Sequence, residues 1–329
     1  MPIVTLQHGK SFEVKDGATL LDAALAAGLV LEHSCRTGRC GTCKAPVLEG
    51  RTRAVRAEES LSAGDAAAGV VLICARTAET DVTLDLEDLG ALANIQVRTL
   101  PARLHSIEKL APDVVRLMLR LPPNNNFTWL PGQYVDVIGQ GGVRRSYSIA
   151  NTPTSPTAGG QIELHVREVE GGWLSQYWFG AAKPNDLLRF EGPRGTFFLR
   201  ECEGRDVVFL ATGTGIAPIK AMLEQMAGRG ARSVRVYWGG RVEEDLYFEP
   251  RAGGLEIGYF PVLSRAGAQW QGLRGHVQAR FLESQPDLAN TVVYACGSMA
   301  MIESSKALLT ANGLSPRSFH SDAFVSSSS

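Results

Sequence analysis

Apolar and polar positions alternate along residues 2–7 and 11–15, on either side of His8-Gly9-Lys10, which predicts a hairpin of short strands. Thr19 stands where a helix N-cap would, ahead of the LLDAALAA run that Gly28 ends. KAPVLEG, VLICART and DVTLDL read as further strands, so residues 1–92 are expected to form a small α+β domain. After a lapse in the pattern (LGALANIQVRT), with a linker placed at 93–100, come strand-like runs with almost no helical period: ARLHSIEKL, VVRLMLRL, QYVDVIG, RRSYSIAN, IELHVREV and DLLRFEG. WLSQYWFGA is the single short helix expected there, and residues 101–202 read as an antiparallel β-barrel. From Asp206 the rhythm changes to strand and helix in turn: DVVFLAT, APIKAMLEQMAGRG, SVRVYWGG, FPVLS, HVQARFLES, TVVYACG, SMAMIESSKALLTANG. This predicts an α/β domain over 203–329, a parallel sheet with helices on its faces.

Length alone, at 329 residues, points to about two domains; the pattern raises that to three. Basic and acidic residues balance at 33 against 34, which argues against bulk binding to nucleic acid or to an anionic membrane. No apolar run reaches the roughly 18 residues of a membrane span. The opening MPIVTLQHGKSFEV lacks the apolar core of a secretory signal. A soluble cytoplasmic protein with a disordered serine end is expected.

The six cysteines are too few for a disulfide scaffold, and their spacing carries more. Cys35, Cys40 and Cys43 stand at C-x4-C-x2-C, and Cys74 follows after 30 intervening residues, the plant-type spacing of a 2Fe–2S cluster. Gly38 and Gly41 let the loop bend tightly, so that backbone N–H groups can face the sulfurs. Zinc is the competing reading, but zinc sites pair two C-x2-C units or add histidines. His8 and His33 read as surface or packing residues.

On these residues the first 90 or so positions resemble a plant-type ferredoxin domain of β-grasp fold. The remainder resembles a ferredoxin–NAD(P) reductase module. Arg145-Ser146-Tyr147-Ser148 matches that family's R-x-Y-S motif, after LPGQYVDV and before Gly192-Pro193-Arg194-Gly195-Thr196-Phe197. The resemblance implies FAD, with Arg145 on its diphosphate, Tyr147 against the ring and Ser148 near the redox-active nitrogen. Ser146, His165-Val166-Arg167, Thr196 and the turn Gly171-Gly172-Trp173-Leu174-Ser175 are expected to complete that site.

Gly213-Thr214-Gly215, with Pro218 in the following helix, is not the G-x-G-x-x-G fingerprint but matches the family's G-T-G-x-A-P turn. Cys296-Gly297, at a strand end, is then implied beside the nicotinamide. Phe324, in the terminal D-A-F, is implied over the flavin, where it would move aside. Arg241 is a candidate for reading the adenosine end; Glu243, Glu244 and Asp245 would repel a 2′-phosphate, which favours NADH over NADPH.

With no haem, Rieske or di-iron motif in the chain, electrons are expected to pass from NADH through FAD and the cluster to another protein. RRSYSIAN, LATGTGIAPIKAMLEQ, VYWGGR, VVYACGS and SDAFVSS most resemble the branch that serves an iron–sulfur dehydrase of CDP-deoxysugar formation. Reductase components of aromatic-ring or alkane oxygenases share the same cofactor motifs. An iron–sulfur sensor or passive carrier is the alternative of another class. Between Cys35 and Glu58, six basic residues (Arg36, Arg39, Lys44, Arg51, Arg53, Arg56) face two acids, a local +4 that suggests docking of an acidic acceptor at Arg36 and Arg39.

Overall fold

The computed structural model describes residues 1–324 apart from 8, 93, 156–159, 201 and 252–253. His8 and the serine end therefore lie outside the described residues. The chain divides into two units, one of Met1–Gln96 with Gly195–Phe197 and one of Val97–Arg194 with Phe198–Phe324.

In the first unit, β1 (Ile3–Leu6) and β2 (Ser11–Glu13) form the expected hairpin, and α1 (Leu20–Ala26) is capped by Thr19, whose Oγ1 accepts from the Asp22 N–H at 3.0 Å. The sheet is completed by β3 (Lys44–Glu49), β5 (Val70–Leu72) and β7 (Val82–Leu84), in the order β2-β1-β7-β3-β5; β4 (Thr52–Ala54) pairs with β6 (Arg76–Ala78) apart from it. Leu20, Leu21 and Ala24 of α1 are buried among Val4, Leu6, Leu72 and Leu84. VLICART is not one strand: it breaks at Ile73–Ala75, which puts Cys74 in a turn. A five-residue helix, α2 (Ala63–Ala67), is an addition to the expected elements. Its signal is present in the sequence, because Ser62 and Asp65 form a capping box.

In the second unit, β8 (Arg98–Ala111), β9 (Val114–Arg120), β10 (Tyr134–Ile138), β11 (Arg144–Ser148), β12 (Gln161–Arg167) and β13 (Leu187–Arg194) form an antiparallel sheet ordered β11-β10-β13-β8-β9-β12. A bridge between Ile149 and Leu164 joins the two outer strands and closes the barrel. Val135, Val137, Leu117, Leu119 and Phe190 fill its interior. The short α3 (Trp173–Gln176) follows β12.

The rest is a parallel sheet ordered β17-β16-β15-β14-β18-β19, from β14 (Asp206–Thr212), β15 (Ser233–Gly240), β16 (Gly258–Leu263), β17 (Leu273–Arg274), β18 (Thr291–Ser298) and β19 (Phe319–Phe324). The central strands read as unbroken apolar runs because both faces are covered. α4 (Ile216–Gln225) packs on β14 and β18, while α5 (Val277–Glu283) and α6 (Met299–Ala311) pack together. The sequence pattern predicts α4 as far as Gly230, whereas the helix ends at Gln225. The terminal FHSDAF, unassigned from its pattern, is β19 beside β18. No helix among the described residues is long and apolar enough to cross a membrane.

Candidate functional site

The loop after α1 and the turn after β5 bring the four spaced cysteines together. Cys43 Sγ and Cys74 Sγ lie 3.1 Å apart, the Cys35 N–H donates to Cys40 Sγ at 3.4 Å, and the Thr37 N–H donates to Cys35 Sγ at 3.4 Å. The hydrogen bond from Cys40 draws the Cys35 thiol down to about 4 against the effect of burial. Cys40 and Cys43 are pushed up by the same sharing of protons, with Cys35 and Cys74 respectively. Four crowded thiols with backbone donors aimed at sulfur suit a cluster that takes all four as thiolates. Gly38, at φ +79°, is required, because a Cβ there would lie 2.2 Å from the Ala57 carbonyl oxygen. The buried Thr42 Oγ1 has no oxygen or nitrogen partner among the described residues and bears on the Cys40 thiol, which fits a donor aimed at sulfur.

The basic rim differs from its reading as a charged face. Arg36 pairs with Asp22 at 2.6 Å, Arg39 with Glu59 at 3.2 Å, Lys44 with Asp65 at 2.8 Å, Arg53 with Glu79 at 3.7 Å and Arg56 with Asp22 at 3.7 Å. All these acids lie outside the Cys35–Glu58 window, so the local +4 is compensated in three dimensions.

On the barrel, alternation along β11 sorts the R-x-Y-S side chains. Tyr147 accepts from Trp178 Nε1 at 3.3 Å, whereas Ser146 donates to Asp136 Oδ1 at 2.6 Å on the neighbouring strand. The Ser146 side chain thus leaves the Arg145–Tyr147 face, a correction to its grouping with them. The half-buried Arg145 guanidinium donates to the Arg144 carbonyl and meets no carboxylate among the described residues, which suits an anionic diphosphate. Ser148 is buried at the strand end.

His165 and Val166 do not offer side chains to a cofactor. Val166 is barrel core, and His165 is held between Glu163 and Tyr247. Gly171, at φ +73°, and Gly172 turn the chain into α3. Trp173 stacks on Tyr177 with centroids 6.1 Å apart, but Leu174 is core and Ser175 Oγ accepts from the Val169 N–H at 2.9 Å. Thr196, within the first unit, has its hydroxyl on the backbone of His33, accepting from N–H and donating to C=O at 2.8 Å each.

A cavity of about 750 Å³ opens at the C-terminal ends of the parallel strands, where such sheets take ligands. It brings together Arg167, Gly213, Thr214, Arg241 and Phe324. Gly215, Pro218 and Cys296 do not line it. Pro218 is buried in α4, and burial, seconded by Asp322, raises the Cys296 thiol well above its ordinary range. Gly215 backs directly on the Cys296 carbonyl, and Gly297, at φ +142°, backs on Thr212. These glycines permit backbone contact between the ends of β14 and β18. Arg241 is occupied by Asp245 at 3.3 Å and Asp113 at 3.8 Å; Asp245 also accepts from the Arg241 N–H at 2.7 Å and pairs with Arg167 at 3.1 Å.

Sequence reading missed Thr212, Ser264, His276, Gln278, Ser298 and Ser304 of the lining. All but Ser304, which lies inside α6, follow or end a strand of the parallel sheet or open a helix, and the strand-end rule would have found several of them. Gln278 Oε1 is buried without a hydrogen-bond partner among the described residues, an acceptor suited to a donor on a bound molecule.

Residues 4–79 match the 2Fe-2S iron-sulfur cluster binding domain, 101–199 the oxidoreductase FAD-binding domain and 209–307 the oxidoreductase NAD-binding domain. The chain is 43% identical to the CDP-6-deoxy-L-threo-D-glycero-4-hexulose-3-dehydrase reductase of Yersinia pestis, covering 94% of each chain. It is 33% identical to the reductase component 1 of a Comamonas terephthalate 1,2-dioxygenase, over 96% of this chain and 95% of that one. Among solved structures it resembles an Amycolatopsis cytochrome P450 reductase, with a TM-score of 0.73 and 29% identity over the whole of both chains.

Proposed function

The chain belongs to the ferredoxin–NAD(P)H reductase-type iron–sulfur flavoproteins, and we propose that it delivers electrons from NADH to the dehydrase of CDP-deoxysugar formation. The observation that carries this acceptor is the 43% identity to a dehydrase reductase, against 33% to the terephthalate oxygenase component. When bound, a flavin would accept the two electrons of one hydride and a cluster would accept electrons singly, so together they would adapt a two-electron donor to a one-electron acceptor.

The chain's own residues bind and orient. Cys35, Cys40, Cys43 and Cys74 hold the cluster, with Thr42 donating toward it. Arg145 neutralises the flavin diphosphate, and Tyr147 and Ser148 border its ring. Gly213 and Thr214 admit the nucleotide diphosphate at the sheet end, and Phe324 covers the reacting face until the nicotinamide enters. Cys296 acts as a neutral buried thiol behind that face, since burial holds its proton on. Asp245 and Asp113 occupy Arg241, leaving it poorly free for a 2′-phosphate, which supports NADH. The domain limits we propose are 1–92, 101–202 and 203–329.

The acceptor docks at the cluster rim that includes Arg36 and Arg39, presenting mixed rather than uniformly basic charge. A reducing compartment such as the cytoplasm suits these free thiols. The test couples purified protein and NADH to the dehydrase and, separately, to an oxygenase component. Turnover with the oxygenase alone transfers the assignment to that branch.

A further inference from the structure

We infer that Lys220 is a positioning residue that sets how the nucleotide cavity is held against the strand end carrying Ser148; the inference rests on the NADH-to-flavin reading. Lys220 lies on α4, one turn past Gly213–Gly215. Its ammonium has three protons and three acceptors from separate segments: the Ala150 carbonyl at 3.0 Å, Glu163 Oε2 at 3.0 Å and Glu224 Oε1 at 2.9 Å. Ala150 stands two residues beyond Ser148, and Glu224 Oε2 also takes the Thr152 N–H at 3.0 Å. Two bonds therefore clamp α4 to the chain leaving the R-x-Y-S strand.

The network continues on the other side. Glu163 Oε1 lies 2.8 Å from His165 Nε2, and His165 Nδ1 lies 3.1 Å from Tyr247 Oη. Burial keeps the His165 ring neutral, and the hydrogen bond from His165 and the charge of Lys220 keep Glu163 ionised against its own burial. One tautomer satisfies all three groups: Nε2–H donates to Glu163 and Nδ1 accepts from the tyrosine hydroxyl. The Tyr247 ring meets Trp238 edge-on at 5.0 Å, and Trp238 Nε1 donates to the Gly213 carbonyl at 3.0 Å. The path thus runs from the flavin strand through Lys220 and back to the nucleotide loop. A fully satisfied polar network has one low-energy arrangement, and apolar packing alone tolerates sliding better.

The experiment uses the holoenzyme with flavin and cluster bound. Rapid mixing of Lys220→Met with NADH is expected to slow the limiting rate of flavin bleaching on the order of 10- to 100-fold, the cost of roughly 1 Å of misplacement. Half-saturating NADH is expected to change less than about threefold, because binding contacts remain. Amide hydrogen exchange at residues 148–152 and 212–217 is expected to accelerate.

Lys220→Met also strands two carboxylates, so Glu163→Gln/Lys220→Met supplies the second measurement. It is expected to regain thermal stability yet stay slow. Recovery of both rate and stability in the double variant, wild-type bleaching in Lys220→Met, or unchanged exchange at both segments overturns the inference. Failure of NADH to bleach the wild-type flavin would instead overturn the underlying reading.

Discussion

Gly215→Ala tests whether backbone contact between the α4 turn and β18 holds the nucleotide site. A Cβ at Gly215 would lie 2.1 Å from the Cys296 carbonyl oxygen and 2.5 Å from its carbon. Both atoms are backbone of a central strand, so no side chain can swing away. Ordinary contact begins near 3.4 Å, so the turn must withdraw by about 1.3 Å. The Gly215 φ of −59° suits alanine, which removes backbone strain from the account and leaves the clash alone.

Overpacking of this kind costs about 1–3 kcal/mol of stability. A shift of roughly 1 Å in a reactant cradle costs on the order of 100-fold in rate, near 2.7 kcal/mol of barrier. The assay measures flavin content by absorbance, then the rate of flavin bleaching by NADH and, as a control, by dithionite. Slow reduction by NADH with full flavin content and normal dithionite reduction is expected. An alanine variant with full flavin that NADH reduces within about threefold of wild type would refute the reasoning.

Thr42→Val removes a buried hydroxyl whose neighbour is the Cys40 sulfur, so the cluster-free chain should change in stability by less than about 1 kcal/mol in chemical denaturation. With the cluster bound, loss of a donor to sulfur should make the midpoint potential more negative in a redox titration followed by electron paramagnetic resonance. Because the rim arginines are paired, the rate of acceptor reduction should depend only shallowly on salt; a steep fall in stopped-flow rates with ionic strength would restore a bare basic face. His165 and Glu163 both titrate below their ordinary values, so both lose stabilisation as pH falls. The His165 contribution is complete above about pH 6.5 and that of Glu163 above about 4.3, each declining as the unfolded chain takes up the proton first. Melting temperatures should therefore drop from neutral pH toward 5 in the wild type, and more gently in His165→Gln.

Much of this protein was legible in local pattern. The C-x4-C-x2-C spacing, the barrel's run of strands and the strand–helix rhythm after Asp206 each depend on residues close in sequence, where period and turn chemistry act. The family models match the same three regions. What escaped depended on partners far along the chain. The +4 of the cluster loop was a true count, yet Asp22, Glu59, Asp65 and Glu79 compensate it from beyond the window, because charge acts through space. Ser146 and His165 sat inside a matching motif, but strand alternation and a buried hydrogen-bond chain turned their side chains elsewhere. Gly215 read as a phosphate-turn glycine and Gly297 as part of the Cys-Gly pair beside the nicotinamide, whereas the fold also uses their missing Cβ atoms to press β18 against β14. Sequence determined which chemistry the chain carries; tertiary packing decided which side chains are free to perform it, since burial and long-range pairing exist only once the strands have met.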